Sequence, residues 1–167
     1  AGFGETAQQK LLKAKVLVIG AGGLGCPALQ YLVASGVGSV GIVDDDTISL
    51  SNLHRQILYA TNDIGKLKAK TAAEKLAALN PEVEITPYTI WLDQENILEL
   101  FARYDFILDG TDNFESRYLI NDACAMLKKP LIFAAVSGYE GQLAVFNLTD
   151  DEQQCSNYRD LFPIPPT

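Results

Sequence analysis

The chain has 167 residues, 48% hydrophobic and 20% charged, with 13 Lys+Arg against 21 Asp+Glu and a formal net charge of −8. That length fits one domain able to bury about 70% of its unfolded surface without a disulfide or structural metal, and the apolar content excludes a disordered chain. The negative field argues against general nucleic-acid binding, so a phosphate ligand must rest on a few local cations.

A short amphipathic helix is expected from Thr6 to Lys13. Lys15 to Gly20 is a β-branched run ending in glycine, read as a buried strand. Gly20 to Gly25 then opens a helix of small and apolar residues running to about Ser35, closed by Gly36 and Gly38. Ser39 to Val43 is a second strand, stopped by Asp44, Asp45 and Asp46, which completes a βαβ unit. Residues 47–65 are polar and long for a connector, a property of functional loops. A helix from Lys66 to Leu79 ends at Asn80-Pro81. A strand (Val83 to Ile90), a helix (Gln94 to Arg103), a strand (Tyr104 to Asp109) and a helix (Phe114 to Leu127) follow. Leu131 to Val136 is another buried strand, and Gln142 to Asn147 follows too closely for a helical crossover, so it pairs antiparallel. The pattern predicts an α/β Rossmann-like fold, an open and mostly parallel sheet with helices on both faces. The domain is expected over 1–147, with 148–167 an acidic, then proline-rich tail. No run of about 18 apolar residues marks a membrane span, and no basic-then-apolar leader opens the chain. Cys26, Cys124 and Cys155 are odd in number and form no C-x-x-C, which suits reduced thiols in a cytoplasmic protein.

Ligands of such sheets bind beyond the carboxyl ends of the strands. There, Gly20, Gly22 and Gly25 spell G-x-G-x-x-G. Glycines let backbone N–H groups approach a phosphate at a helix N-terminus, or else serve tight strand–helix packing. Asp44, at the end of the next strand, suits ribose hydroxyls. The loop alone fits NAD, FAD or ATP. Arg55 and Lys68 are candidate phosphate clamps; alternatively, Arg55 lies in a surface loop and Lys68 on a solvated helix face. Asp109, Asp112 and Asn113 follow a buried strand and suit magnesium, although Asp112 with Glu115 also spells a helix capping box. His54, the one histidine, reads as a loop-surface residue, with a general-base role as the alternative. Cys26 reads as packing, with a nucleophile as the alternative.

Together the segments 16–26, 31–38, 43–56, 63–69, 79–81, 109–113 and 140–142, with Phe3-Gly4, resemble the ThiF/MoeB/HesA family, relatives of ubiquitin-activating enzymes. The resemblance runs over nearly the whole chain. It implies a Mg-ATP-dependent adenylyltransferase that adenylates the C-terminal glycine of a ubiquitin-like sulfur carrier ending in Gly-Gly and releases pyrophosphate. Molybdopterin and thiamine carriers fit equally. It also implies a homodimer. By position, Gly23 would approach the nucleotide, Asp44 the ribose, and Asn52, Arg55 and Lys68 the phosphates. Ser51, Asn52, Leu53 and His54 would line the pocket, and Asp112, beside Asn113, would hold magnesium. The family's Arg-containing segment would precede Phe3. Its first zinc-binding Cys-x-x-Cys pair would align near Tyr158-Arg159, where Asn157 and Asp160 stand instead, and Cys155 is displaced. The second pair and the crossover-loop cysteine would lie beyond Thr167. The chain therefore reads as an incomplete catalytic domain with no zinc site of its own. The other classes are an NAD-dependent oxidoreductase and a non-catalytic partner of a heterodimeric activating enzyme.

Overall fold

The computed structural model describes residues 4–148 and 156–164; Phe3, Cys155 and the acidic part of the expected tail lie outside them. The elements run α1 (Glu5–Lys13), β1 (Lys15–Ile19), α2 (Gly25–Ala34), β2 (Ser39–Val43), α3 (Lys68–Leu79), β3 (Glu84–Tyr88), α4 (Ile97–Ala102), β4 (Phe106–Asp109), α5 (Phe114–Leu127), β5 (Leu131–Ser137), β6 (Glu140–Phe146) and α6 (Tyr158–Leu161). One six-stranded sheet forms in the order β3-β2-β1-β4-β5-β6. Its first five strands are parallel and β6 is antiparallel to β5. The β5–β6 hairpin pairs as far as Ser137 with Glu140, so β6 starts two residues earlier than its apolar pattern suggests.

The sheet is covered on both faces, and the alternation along β1 shows how. Val16 and Val18 point into a cluster with Leu29 and Val33 of α2 and Ala69, Ala72 and Leu76 of α3. Leu17 and Ile19 point into the other, with Ile97 and Phe101 of α4 and Ile120 and Cys124 of α5. Each strand side chain thus removes apolar surface from water on one face or the other. Strand order reverses at β1, whose neighbours are β2 and β4. A crevice opens outside the strand ends at such a switch point.

The expected boundary at 147 moves. Tyr158 is 2% exposed and packs its ring 5.0 Å from Phe133 and 5.2 Å from Tyr118. Its N–H donates to Asn121 Oδ1 at 2.8 Å, and Arg159 pairs with Asp122 at 2.6 Å. Residues 156–164 therefore belong to the domain. The buried Tyr158 ring anchors the start of this segment to the core, while Leu161 to Ile164 stay exposed.

Candidate functional site

A cleft of about 640 Å³ lies over the carboxyl ends of β1, β2, β3, β4 and β5. Its floor is the glycine loop. Gly20 has φ +87°, which a side chain would strain, and its N–H donates to the Val43 carbonyl at 2.8 Å. A Cβ on Gly25 would sit 1.8 Å from the Gly20 carbonyl oxygen, so only glycine lets α2 start this close to β1. Gly20, Gly22 and Gly23 line the cleft. Gly25 lies buried beneath it and shapes the loop without facing a ligand.

Asp44 reaches the cleft from the end of β2. Its Oδ2 accepts from the Ala21 N–H at 2.8 Å and its Oδ1 from the Asp46 N–H at 2.9 Å. Burial pushes its carboxyl above the ordinary value, opposed by the Ala21 hydrogen bond and Lys68. Lys68 is 6% exposed, not on a solvated face, and its Nζ donates to Asp46 Oδ2 at 2.7 Å. Leu67 occupies the N-cap position with extended backbone, so α3 begins at Lys68 and the ammonium is delivered to the cleft from its first residue.

From the long loop, Asn52 and Arg55 line the cleft. Ser49 Oγ donates to Asn52 Oδ1 at 2.9 Å, which fixes the amide and leaves its N–H groups available. The Arg55 stem passes close to Gly23: a Cβ there would be 3.3 Å from Arg55 Cδ. Ser51, Leu53 and His54 are not among the lining residues. Ser51 shares a 3.0 Å hydroxyl contact with Ser49, Leu53 packs on the α2–α3 cluster, and His54 is exposed.

Asp112 and Asn113 enter from the end of β4. The capping expectation for Asp112 is corrected: Asn113 is the cap, its Oδ1 accepting from the Ser116 N–H at 2.8 Å. Asp109 lies below the cleft at 1% exposure. Its Oδ1 accepts from the Thr111 N–H at 2.8 Å and Oγ1 at 2.7 Å, which holds the turn that presents Asp112. Burial pushes the Asp109 carboxyl up. Cys26 is fully buried and burial raises its thiol, so the packing reading holds over the nucleophile.

Several lining residues escape sequence reasoning. Gln56 is 3% exposed, and its Oε1 has no protein partner. Arg117, one turn into α5, donates to the Thr111 carbonyl at 3.2 Å and lies over the Phe114 and Phe133 rings. Ile90, Trp91 and Leu92, after β3, bring apolar surface, with Trp91 58% exposed. Gln56 directly follows Arg55 and was the one legible signal; the others depend on strand order. The cleft gathers four carboxylates (Asp44, Asp45, Asp46 and Asp112) and three cations (Arg55, Lys68 and Arg117). Fixed cations, backbone donors at a helix N-terminus and an apolar wall suit a phosphorylated ligand with a flat base.

Comparison with known proteins places the chain among relatives of the same fold. The chain is 51% identical over 166 residues to the sulfur carrier protein adenylyltransferase of Thermus thermophilus, covering 98% of this chain and 60% of that protein. It is 46% identical over 164 residues to the probable adenylyltransferase/sulfurtransferase MoeZ of Mycobacterium tuberculosis, covering 98% of this chain and 42% of that one. It therefore spans less than two thirds of either relative's length. Among solved structures, the E. coli tRNA N6-threonylcarbamoyladenosine dehydratase TcdA in complex with ATP superposes with a TM-score of 0.79 at 27% identity, covering 83% of this chain and 57% of that one. The sequence profile of the ThiF family matches residues 1–167, and the chain belongs to that family.

Proposed function

We propose that this chain is the nucleotide-binding part of an ATP-dependent adenylyltransferase. It activates the C-terminal glycine of a ubiquitin-like sulfur carrier and releases pyrophosphate. The observation that carries the reading is the convergence of the glycine loop, Asp44, Asn52, Arg55, Lys68 and Asp112 on one cleft at the strand ends. The names of its relatives support the substrate class. An NAD-dependent oxidoreductase gains no support from them and has no evident use for Lys68 and Asp112 around one nucleotide. The homodimer and the cytoplasmic setting remain part of this reading.

The chemistry joins two anions. A carboxylate of the carrier, already ionised at neutral pH, attacks the α-phosphorus, so no general base is needed. The protein's task is positioning and neutralisation. Asp44 orients the ribose. The backbone N–H groups of Gly22 and Gly23 and the side chains of Asn52 and Arg55 hold phosphate oxygens. Lys68, already desolvated by burial, exchanges Asp46 for phosphate. The fixed charges of the cleft include more carboxylates than cations, so a triphosphate needs added positive charge. Magnesium, which takes one or two carboxylates together with phosphate oxygens, supplies that charge when bound, and Asp112 is the residue that would hold it.

The test is carrier-dependent ATP–pyrophosphate exchange. Arg55→Ala and Lys68→Ala are each expected to lower exchange by about 10²–10³-fold, roughly 3–4 kcal/mol. Arg55 is exposed, so its variant keeps its melting temperature. Wild-type exchange in both variants would return the cleft to an unspecified nucleotide role.

A further inference from the structure

Ala21, the second residue of the glycine loop, is held on both sides. Its N–H donates to Asp44, and its carbonyl accepts from the Tyr59 hydroxyl at 2.9 Å and from Cys26 Sγ at 3.3 Å. The same Tyr59 hydroxyl also reaches the Lys68 carbonyl at 3.3 Å. Tyr59 is 7% exposed, lies in the cluster that packs α2 and α3 on the sheet, and stands outside the cleft lining. Burial pushes its phenol above the ordinary value, so it remains a donor at any working pH.

The two carbonyls belong to adjacent segments that form two walls of the cleft. Ala21 precedes Gly22 and Gly23, which line one wall; the buried Lys68 lines the other. A hydroxyl shared between them fixes the distance from wall to wall. We propose that Tyr59 is a positioning residue, whose hydroxyl ties the glycine loop to the first residue of α3 and sets the spacing between the loop donors and the Lys68 ammonium. The proposal rests on the adenylation reading, because the spacing matters only to a ligand that meets both walls. A ring serving only as core filler would need no hydroxyl there.

Tyr59→Phe keeps the ring and removes the tie. On the adenylation reading the triphosphate of ATP meets both the glycine loop and Lys68, whereas the single phosphate of AMP meets only one of them. Calorimetry on the full-length protein with ATP and with AMP is expected to show ATP affinity reduced about three- to tenfold, the worth of one net hydrogen bond, with AMP affinity held within about twofold. Hydrogen exchange is the second readout: the segments 20–26 and 66–72 are both expected to exchange faster in the variant. A purely structural role would lower the melting temperature and leave the ATP-to-AMP ratio unchanged. An unchanged ratio, or faster exchange in only one segment or neither, overturns the proposal. Wild-type protein that binds neither nucleotide overturns the adenylation reading and the proposal with it, whereas wild-type binding with an unaltered variant overturns the proposal alone.

Discussion

Asp44 engages both carboxylate oxygens with backbone N–H groups before any ligand arrives, and each oxygen keeps a lone pair for a ribose hydroxyl. Asp44→Ala is therefore expected to weaken ATP binding by about 1.5–3 kcal/mol in calorimetry, the range for hydrogen bonds to a charged acceptor. The ionised form does the accepting, and burial holds the carboxyl above its ordinary value. Acidification toward that raised value should mimic the substitution. An unchanged dissociation constant would remove the ribose role. Asp44 was legible from its place after a strand because the spacing from the glycine loop is local geometry. Arg117 was not, because nothing in the second turn of a helix says which way a side chain turns.

The loop between β2 and α3 is held by its own ion cluster. Asp63 accepts from the Ala60 N–H at 2.9 Å, from Lys66 Nζ at 3.0 Å and from Lys75 Nζ at 2.5 Å. Lys75, then the Ala60 N–H and Lys66, hold its carboxyl well below the ordinary carboxylate range. A value depressed in the folded state contributes stability above the unfolded value, and that stability is lost as pH falls through the folded one. Melting temperature should therefore fall as pH drops below about 4, and Asp63→Asn should flatten that limb while lowering the melting temperature at neutral pH. An acid limb of equal slope in the variant would place the acid sensitivity elsewhere. The element boundaries near this loop moved for a related reason. The apolar pattern extends a helix to Lys66, but Thr47 bridges Leu67 and the Lys66 carbonyl accepts from the Ile48 N–H at 2.9 Å, so the chain stays extended until Lys68.

Across the whole molecule, α6 decides how much of the chain is domain. Tyr158 fills a ring cluster with Tyr118, Phe133, Phe146 and Phe162. Tyr158→Ala should cost about 3–5 kcal/mol in denaturant unfolding, the range for deleting a large buried aromatic. A dispensable tail would change stability by less than about 0.5 kcal/mol. Among the described residues no helix is long and apolar enough to cross a membrane, and Cys26 and Cys124 are free and buried. Burial pushes the Cys124 thiol up to about 12.

The sequence by itself determined the alternation of strands and helices, the glycine loop, and the acidic and basic residues that follow it. These follow from side-chain periodicity, backbone freedom at glycine and short-range spacing, all of which are local. Only the tertiary structure decided which of them meet. Strand order carries Asp44 from β2, Asp112 from beyond β4 and Trp91 from beyond β3 to one cleft, and leaves Ser51, Leu53 and His54 outside it. It buried Lys68 beside Asp46 and folded Tyr158 back onto the core. Each of these outcomes depends on contacts between segments far apart in sequence, whose free energy no local pattern encodes.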